Sequence, residues 1–358
     1  MICASAPGKL YITGEYAVLE PHHPAIIVAV NQFITVKLMP TETEGSITSS
    51  YSNFLPIPWT RKNGTVFVDE RENPFNYVIQ AIQTTETYAK EQGCTLHFYH
   101  LNIESDLANE DGRKYGLGSS GAVTVATIKA LLNFYHLPYT KELIYKLAVL
   151  THLAIGSNGS FGDIAASSFG GWIAYSIFDK EWLIDFYNHH TITETVTYPW
   201  KDLYIEPLPE PKDLDLVIGW TGSPASTTHL VDQLHNEEEK HRAQAFQDYF
   251  LSSAKTIVQD TIKAMQQQNS ERMMTNLQRY RQLLLELEQQ RHLCIETPQL
   301  NMLCQIADSC GGSAKSSGAG GGDCGIVLLP KKLDKEPLIQ QWKQYHIKFL
   351  DFHVHYES

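Results

Sequence analysis

The sequence predicts an α+β fold in two domains, and three observations support this prediction. The chain has 358 residues, and about 150 residues per domain is typical, so two domains are expected. Strand-like and helix-like stretches alternate through the first half, which favours a mixed fold. A proline-rich segment, residues 199–211, is typical of a join between domains. We therefore expect an N-terminal domain over residues 1–205 and a C-terminal domain over residues 206–358.

The N-terminal elements follow from local patterns. Pro74 stands at a first-turn position of a helical run, and Thr140 is placed to cap another helix. β-Branched and aromatic residues indicate strands, and an apolar stretch after a glycine loop indicates a long helix. The predicted elements are strands at Leu10–Leu19, Ala25–Leu38 and Thr95–Ile103 and a helix that ends near Phe134.

The C-terminal half is richer in helix. An apolar run predicts a buried strand, and a long proline-free stretch predicts two helices that break near Asn269. Thr297 and Pro298 form the cap and first position of a further helix. The predicted elements are a strand at Leu214–Trp220, helices over 226–290, a helix to Cys310, and strands at Ile326–Leu329 and Ile347–Tyr356.

Composition excludes several classes of protein. A formal net charge of -12 at pH 7 with 43% hydrophobic residues indicates a folded chain whose surface suits neither nucleic acid nor an anionic membrane. No uncharged apolar run approaches the roughly 20 residues that span a bilayer. The stretch from Met1 lacks the pattern of a secretory signal, and the cysteines form no C-x-x-C pair. We expect a cytoplasmic globular protein.

Two glycine-rich loops, residues 116–121 and 320–325, match G-x-G-x-x-G. A dinucleotide-binding fold needs a buried strand before this loop and a helix after it. Charged residues precede the first loop, and a strand rather than a helix follows the second. The context therefore excludes the dinucleotide-binding interpretation for both loops.

The first loop still has the chemistry of a phosphate site. Its small residues let backbone N–H groups approach an anion, and the helix that begins near Ser120 directs the positive end of its dipole towards it. The hydroxyls of Ser119 and Ser120 can bind a phosphate oxygen or Mg²⁺. A serine-capped helix after a tight turn is the alternative that this loop alone leaves open.

Three stretches taken together resemble the GHMP kinase family. They are residues 6–16 (APGKLYITGEY), residues 116–121 (GLGSSG) and residues 314–324 (AKSSGAGGGDC). Their order and spacing match the three motifs of the family, and the resemblance covers nearly the whole chain. It implies a two-domain α+β fold, with an N-terminal domain like ribosomal protein S5 domain 2, a ferredoxin-like C-terminal domain and an active site in the cleft between them.

The amino-acid sequences of these motifs, together with residues 158–163 (NGSFGD) and 219–222 (GWTG), are most similar to those of the bacterial members that act on (R)-5-phosphomevalonate. The resemblance implies phosphoryl transfer from ATP to give (R)-5-diphosphomevalonate and ADP in isoprenoid synthesis, by a monomer or homodimer. Mevalonate kinase, another small-molecule kinase of the family, and a sensor without turnover are the alternatives. The presence of Lys9 and Asp163 argues against the sensor.

The resemblance also assigns residues to roles. Lys9 would face the transferred phosphoryl group, and Asp163 would be the active-site aspartate. The residues expected to bind ATP are Lys114, Gly116, Leu117, Gly118, Ser119, Ser120 and Gly121, with Ser120 as the Mg²⁺ ligand. The residues expected to bind the acceptor are Lys9, Ser160, Ser226, Thr227, Ser316, Ser317, Gly318, Ala319 and Gly320.

Two residues depart from the family pattern. His152 stands where related sequences have a magnesium-binding glutamate, and we expect a structural role for it. Asp323 replaces a small residue in the third motif, where bracing of the loop is the simplest interpretation. We expect Asp163 to orient the ammonium of Lys9 rather than to act as a base, because a phosphate monoester with a second pKa near ~6 is already mostly dianionic at pH 7.

The acceptor and ATP are both anionic, so the site needs local positive charge. Lys9, Arg113, Lys114 and Lys315 flank the glycine loops, and these four cations are candidates to supply it. Trp59 and Asn76 are weaker candidates to line an adenine pocket, with ordinary packing as the alternative.

Overall fold

A computed structural model describes residues 1–49, 56–68, 75–222 and 237–356. Among these residues it shows two domains, each built on its own sheet. The strands of the first sheet are β1 Ile2–Thr13, β2 Ala25–Thr41, β3 Gly45–Ser49, β4 Ile57–Lys62, β5 Thr65–Phe67, β6 Phe98–Ser105, β7 Trp172–Ser176 and β8 Tyr204–Leu208. The helices of this domain are α1 Asn76–Glu91, α2 Ser119–Phe134, α3 Lys141–Ala154, α4 Gly162–Phe169, α5 Lys180–His189 and α6 Ile192–Thr197.

The first sheet has the order β5-β4-β3-β6-β2-β7-β8, and β1 pairs with β2. β3 and β6 run parallel, and the other pairs are antiparallel. β1 and β2 change register between Pro7 and Gly8, so β1 bends at the start of the first motif. α2 packs on both strands. This packing brings the first glycine loop, residues 116–121 at the N-terminus of α2, against β1; we call it the phosphate loop after the role that the resemblance implies.

The second domain has the ferredoxin-like arrangement. Its elements are β9 Leu214–Trp220, α7 Glu237–Gln266, α8 Ser270–Arg291, α9 Pro298–Ser309, β10 Ser313–Ser316, β11 Cys324–Pro330, α10 Glu336–Gln344 and β12 Lys348–Leu350. The sheet order is β10-β11-β9-β12, with every pair antiparallel. The predicted α+β fold in two domains is therefore confirmed.

Several predicted elements need correction. The expected domain boundary after residue 205 falls inside β8, which pairs with β7, and the chain changes sheet between Leu208 and Leu214. The prolines of this segment predicted a linker rather than a strand. β8 tolerates Pro207 because β8 is an edge strand, where a missing N–H does not disrupt pairing. The expected strand Ile347–Tyr356 is also too long. β12 ends at Leu350, and the tail then returns to the first domain, where Val354 forms a β-bridge with Val30.

Candidate active site

The first glycine loop approaches β1 and α4 closely at Gly118, which leaves little room for a side chain there. Gly118 caps α2 in a left-handed conformation, with φ 77°. A Cβ on Gly118 would lie 3.0 Å from Lys9 Cε and 3.2 Å from Asp163 Cβ. Within the described ranges no side chain caps the first turn of α2, so its N–H groups and the positive end of its dipole are available to an anion beside Lys9 and Asp163.

Lys9 lies on β1 with only 9% of its surface exposed. Its ammonium donates a hydrogen bond to the carbonyl of Gly116 (3.1 Å), and its backbone N–H donates to the carbonyl of Leu117 (2.9 Å). Burial lowers the pKa of Lys9, and the negative charge of nearby Asp163 is the largest effect that opposes this shift. The geometry gives a positive charge in a water-poor site, where it acts strongly on a phosphate.

Asp163 lies in the first turn of α4. A Cβ on Gly121 would lie 2.9 Å from its Oδ2, so the carboxylate packs against the first turn of α2. Among the described residues, Lys9 donates to the Gly116 carbonyl and forms no direct ion pair with Asp163. The orienting contact expected from the sequence is therefore made by a backbone carbonyl, and Asp163 acts on Lys9 through its charge.

A cavity of about 300 Å³ opens beside Ser119 and Ser120. Its wall is mainly apolar, with exposed Lys114 among its lining residues. The other lining residues are Ile34, Ser49, Phe75, Tyr77, Val78, Ile103, Ser105, Leu107, Ala108 and Val123. An apolar slot beside a helix N-terminus that is open to an anion has the character of a nucleoside site.

Trp59 and Asn76 do not line this cavity. Trp59 is buried and packs against Phe98 and Tyr99, while Asn76 is exposed at the start of α1. The lining residues come from β2, β3, α1, β6 and α2, so no local pattern in the sequence could have identified them together.

The residues near Ser120 suit Mg²⁺ held largely by the nucleotide. Ser120 offers a hydroxyl and Asp163 a carboxylate, which are the oxygen ligands that Mg²⁺ prefers. The described part of the chain contains no group of three His, Cys, Asp or Glu side chains that could hold a metal ion. His152 is buried and its Nε2 lies 3.0 Å from Thr124 Oγ1, whose own proton goes to the Ser120 carbonyl. Nε2 therefore donates, and His152 supports the start of α2.

A chain of hydroxyls leads from β1 into the N-terminal core behind α4. Tyr11 OH and Ser160 Oγ are 2.8 Å apart, and Tyr175 OH donates to the Ser160 carbonyl (2.6 Å). Tyr145 OH must then donate to Tyr175 OH (2.9 Å), because Tyr175 has no second proton. Burial raises the pKa of Tyr11, so its hydroxyl stays protonated. Ser160 is thus held by Tyr11 and Tyr175, and sequence reasoning had missed these tyrosines.

The third loop turns its serines inward. Ser316 is buried in β10. The hydroxyl of Ser317 accepts from Tyr11 N–H (2.9 Å) and donates to the Tyr11 carbonyl (3.0 Å). No described atom lies within 4 Å of a Cβ added to Gly318, whereas Gly320 packs on Ile295, whose carbonyl leaves no room for a Cβ. Of the described residues, the backbone around Gly318 is therefore the open part of this loop.

Lys315 is not a free phosphate ligand, contrary to the sequence-based expectation. It is fully buried and forms an ion pair with the carboxylate of Glu15. The same Glu15 Oε1 accepts from Gly318 N–H (3.3 Å), and Tyr16 OH donates to the Ala319 carbonyl (2.6 Å). The first motif thus holds the third loop in place. Arg113 is exposed, while Ser226 and Thr227 lie outside the described residues.

Matches to two family models agree with this site. Residues 76–171 match the GHMP kinases N terminal domain, and residues 261–348 match the GHMP kinases C terminal domain. The chain belongs to the GHMP kinase family. None of the helices in the described ranges is both long and apolar enough to cross a bilayer.

Within the family, this chain is similar to phosphomevalonate kinases. It is 36% identical over 354 residues to the phosphomevalonate kinase of Streptomyces sp. strain CL190, covering 96% of this chain and 94% of that protein. The structure of Streptococcus pneumoniae phosphomevalonate kinase in complex with phosphomevalonate and AMPPNP superimposes with a TM-score of 0.85 at 28% identity, over 99% of this chain and 100% of that one. The Lin0012 protein from Listeria innocua gives a TM-score of 0.90 at 37% identity, covering 99% and 97%.

Proposed function

We propose that this protein is a phosphomevalonate kinase, which transfers the γ-phosphoryl group of MgATP to (R)-5-phosphomevalonate and releases ADP and (R)-5-diphosphomevalonate. The observation that carries the proposal is the convergence of the buried Lys9 ammonium and Asp163 at the start of α2, whose Ser119 and Ser120 line the cavity. The similarity to phosphomevalonate kinases over nearly the whole chain supports the choice of acceptor.

The acceptor oxygen attacks the γ-phosphorus, and the bond from that phosphorus to the bridging oxygen of ADP breaks. A phosphate monoester is mostly dianionic at pH 7, so the attacking oxygen is already deprotonated. The barrier then lies in bringing two anions together in a site of low dielectric. Lys9 offsets this repulsion, and the N–H groups of α2 bind the transferred charge.

Mg²⁺ fits the same region and would neutralise charge on the nucleotide phosphates. The Ser120 hydroxyl is its proposed protein ligand, with Asp163 the carboxylate nearest the start of α2. The apolar cavity between Phe75, Tyr77 and Val123 would take the nucleoside. The open backbone at Gly318 and the fixed hydroxyl of Ser160 would face the acceptor. Since ATP and the acceptor are charged small molecules, which do not cross membranes freely, we infer a cytoplasmic enzyme. The family resemblance favours a monomer or homodimer.

The test is ADP release from ATP and Mg²⁺ with 5-phosphomevalonate, mevalonate or galactose as the acceptor. We expect turnover with 5-phosphomevalonate at a kcat/KM at least about 100-fold above that of the other two. Lys9→Met serves as the control for contaminating kinases. Preferred turnover of mevalonate would contradict the proposal and favour an alcohol acceptor. Tight binding of ATP without ADP release from any acceptor would indicate a sensor.

A further inference from the structure

Asp323 occupies an unusual position in the third loop. Gly320, Gly321 and Gly322 all have positive φ, and Asp323 continues the run with φ 55°. Glycine adopts this left-handed conformation without steric strain, and aspartate is one of the few other residues that adopt it. The shape of the loop therefore permits Asp323 without requiring a carboxylate, so the contacts of the side chain decide its role.

The backbone of Asp323 is fixed from two sides. Its carbonyl accepts from the N–H of Thr221 (2.9 Å) and from the Thr221 hydroxyl (3.1 Å). The thiol of the next residue, Cys324, donates to the carbonyl of Tyr115 (3.1 Å). Tyr115 in turn packs edge-on against Trp220, at 5.1 Å between ring centroids. This segment of the C-terminal domain is thus anchored to the N-terminal phosphate loop.

The side chain of Asp323 lies directly on Gly116. A Cβ on Gly116 would be 2.5 Å from Asp323 Oδ2 and 2.7 Å from its Cγ. The carbonyl of this same glycine accepts the hydrogen bond from the Lys9 ammonium. Gly116 is therefore held by Asp323 from the C-terminal domain and by Lys9 from the N-terminal domain.

We propose that Asp323 is a positioning residue for phosphoryl transfer: its carboxylate packs on Gly116, fixes the phosphate loop and aims the Lys9 ammonium into the cleft between the domains. The inference rests on the proposed function only for the identity of the acceptor. It requires that Lys9 act as a cation on the phosphates of ATP, and this requirement is the same for every acceptor considered above.

The charges around Lys9 give this proposal an electrostatic consequence. Asp163 faces it from α4, Asp323 and Cys324 from the third loop, and Glu15 from the end of β1. Glu15 is paired with Lys315, and burial raises the pKa of the Cys324 thiol, which stays neutral. Asp163 and Asp323 are therefore the two aspartates whose negative charge favours charged Lys9. Removing one of them should lower the pKa of Lys9.

The test compares Asp323→Asn, Asp323→Gly and the wild type in steady-state kinetics over pH 6 to 10. Asp323→Asn keeps the shape and removes the charge, while Asp323→Gly suits the positive φ and removes the whole side chain. We expect Asp323→Gly to lower kcat about tenfold or more, because it removes the contact that aligns Gly116 and Lys9, and loss of alignment at the reacting centre is costly. Asp323→Asn keeps this contact, so its kcat should fall less. For Asp323→Asn, the fall of kcat/KM at high pH should begin at lower pH than in the wild type.

Asp202→Asn is the matched control, because Asp202 also has a positive φ, of 66°, and pairs with His22 away from the phosphate loop. It should leave kcat and the pH profile unchanged. Thermal melting of each variant reports on folding. An unchanged kcat in Asp323→Gly, or an unmoved pH profile in Asp323→Asn, would overturn the positioning role. The kcat and kcat/KM of each variant are compared with those of the wild type, with whichever acceptor the wild type turns over. Failure of the proposed acceptor is therefore seen separately from failure of the positioning role.

Discussion

Lys9 and Asp163 illustrate at the residue scale how the nature of the acceptor decides which side chain matters most. Lys9→Met removes the cation between two phosphate groups, and we expect kcat to fall by about 100-fold or more. Asp163→Asn removes a charge that acts on Lys9 from beyond hydrogen-bond distance, so we expect a loss of about tenfold. Because the acceptor needs no base, Asp163→Asn should gain no new pH dependence above pH 7. Equal losses, with Asp163→Asn rescued at high pH, would identify Asp163 as a base.

Ser120 and Ser119 provide a paired test of the metal site. Both stand in the first turn of α2 and line the same cavity, but only Ser120 is proposed to bind Mg²⁺. Ser120→Ala should raise the KM for MgATP about tenfold, which additional Mg²⁺ partly restores, with little change in the KM for the acceptor. Ser119→Ala should leave the Mg²⁺ dependence unchanged. If the KM for MgATP depends on Mg²⁺ concentration in the same way in both variants, Ser120 is not the Mg²⁺ ligand.

At the scale of elements, the sequence located what local patterns encode. Thr140 and Thr297 cap α3 and α9 through their side chains, and the strand Leu214–Trp220 has the predicted bounds. β8 was missed because its prolines resemble a linker. The cavity beside Ser119 and Ser120 and the inward orientation of the serines in the third loop were also missed. They depend on which distant segments meet, and that information lies in packing rather than in any local pattern.

The Glu15–Lys315 pair joins the end of β1 to β10 and has a measurable role in stability. Both side chains are almost fully buried, and Glu15 Oε2 has no hydrogen-bond partner among the described residues. Lys315→Met would leave a buried carboxylate without its cation, so we expect the free energy of unfolding to fall by about 3–5 kcal/mol. Adding Glu15→Gln should recover part of this loss. Urea denaturation measures both effects.

The exposed Lys331 supplies a control for that experiment. Lys331→Met should change the free energy of unfolding by less than about 0.5 kcal/mol, as is usual at surface sites. If Lys315→Met changes the free energy of unfolding by as little as Lys331→Met does, the buried pair does not hold the third loop. If the double variant is less stable than Lys315→Met, the two residues are not coupled as an ion pair.

At the scale of the whole molecule, the site depends on several separate connections between the two domains. Ser317 binds the backbone of Tyr11, Lys315 binds Glu15, and Asp323 packs on Gly116. The sequence could indicate that the three motifs meet, because each has a recognisable pattern. It could not indicate that Ser317 and Lys315 serve these connections, since a hydroxyl or an ammonium has the same sequence signal whether it binds protein or ligand.

The C-terminal tail makes a further connection that a truncation can test. Tail residues exchange backbone hydrogen bonds with β2 and the start of β7: Asn31 N–H donates to the His353 carbonyl (2.9 Å), Gly171 N–H donates to the His355 carbonyl (2.6 Å), and His355 N–H donates to the Ala29 carbonyl (3.0 Å). Phe352 packs on Tyr115 at the phosphate loop, at 5.5 Å between ring centroids.

A chain that stops after Leu350 should therefore lose about 2–4 kcal/mol of stability, since about 1 kcal/mol per hydrogen bond is typical and buried backbone groups are left unpaired. Its KM for ATP should rise several-fold because Tyr115 loses the support of Phe352. Urea denaturation and steady-state kinetics measure the two effects, and a chain that stops after Tyr356 is the control. Phe352→Ala separates them: the KM should rise while most of the stability remains, because the backbone hydrogen bonds persist. A rise in KM in the truncated chain but not in Phe352→Ala would show that the tail supports the phosphate loop through its backbone alone.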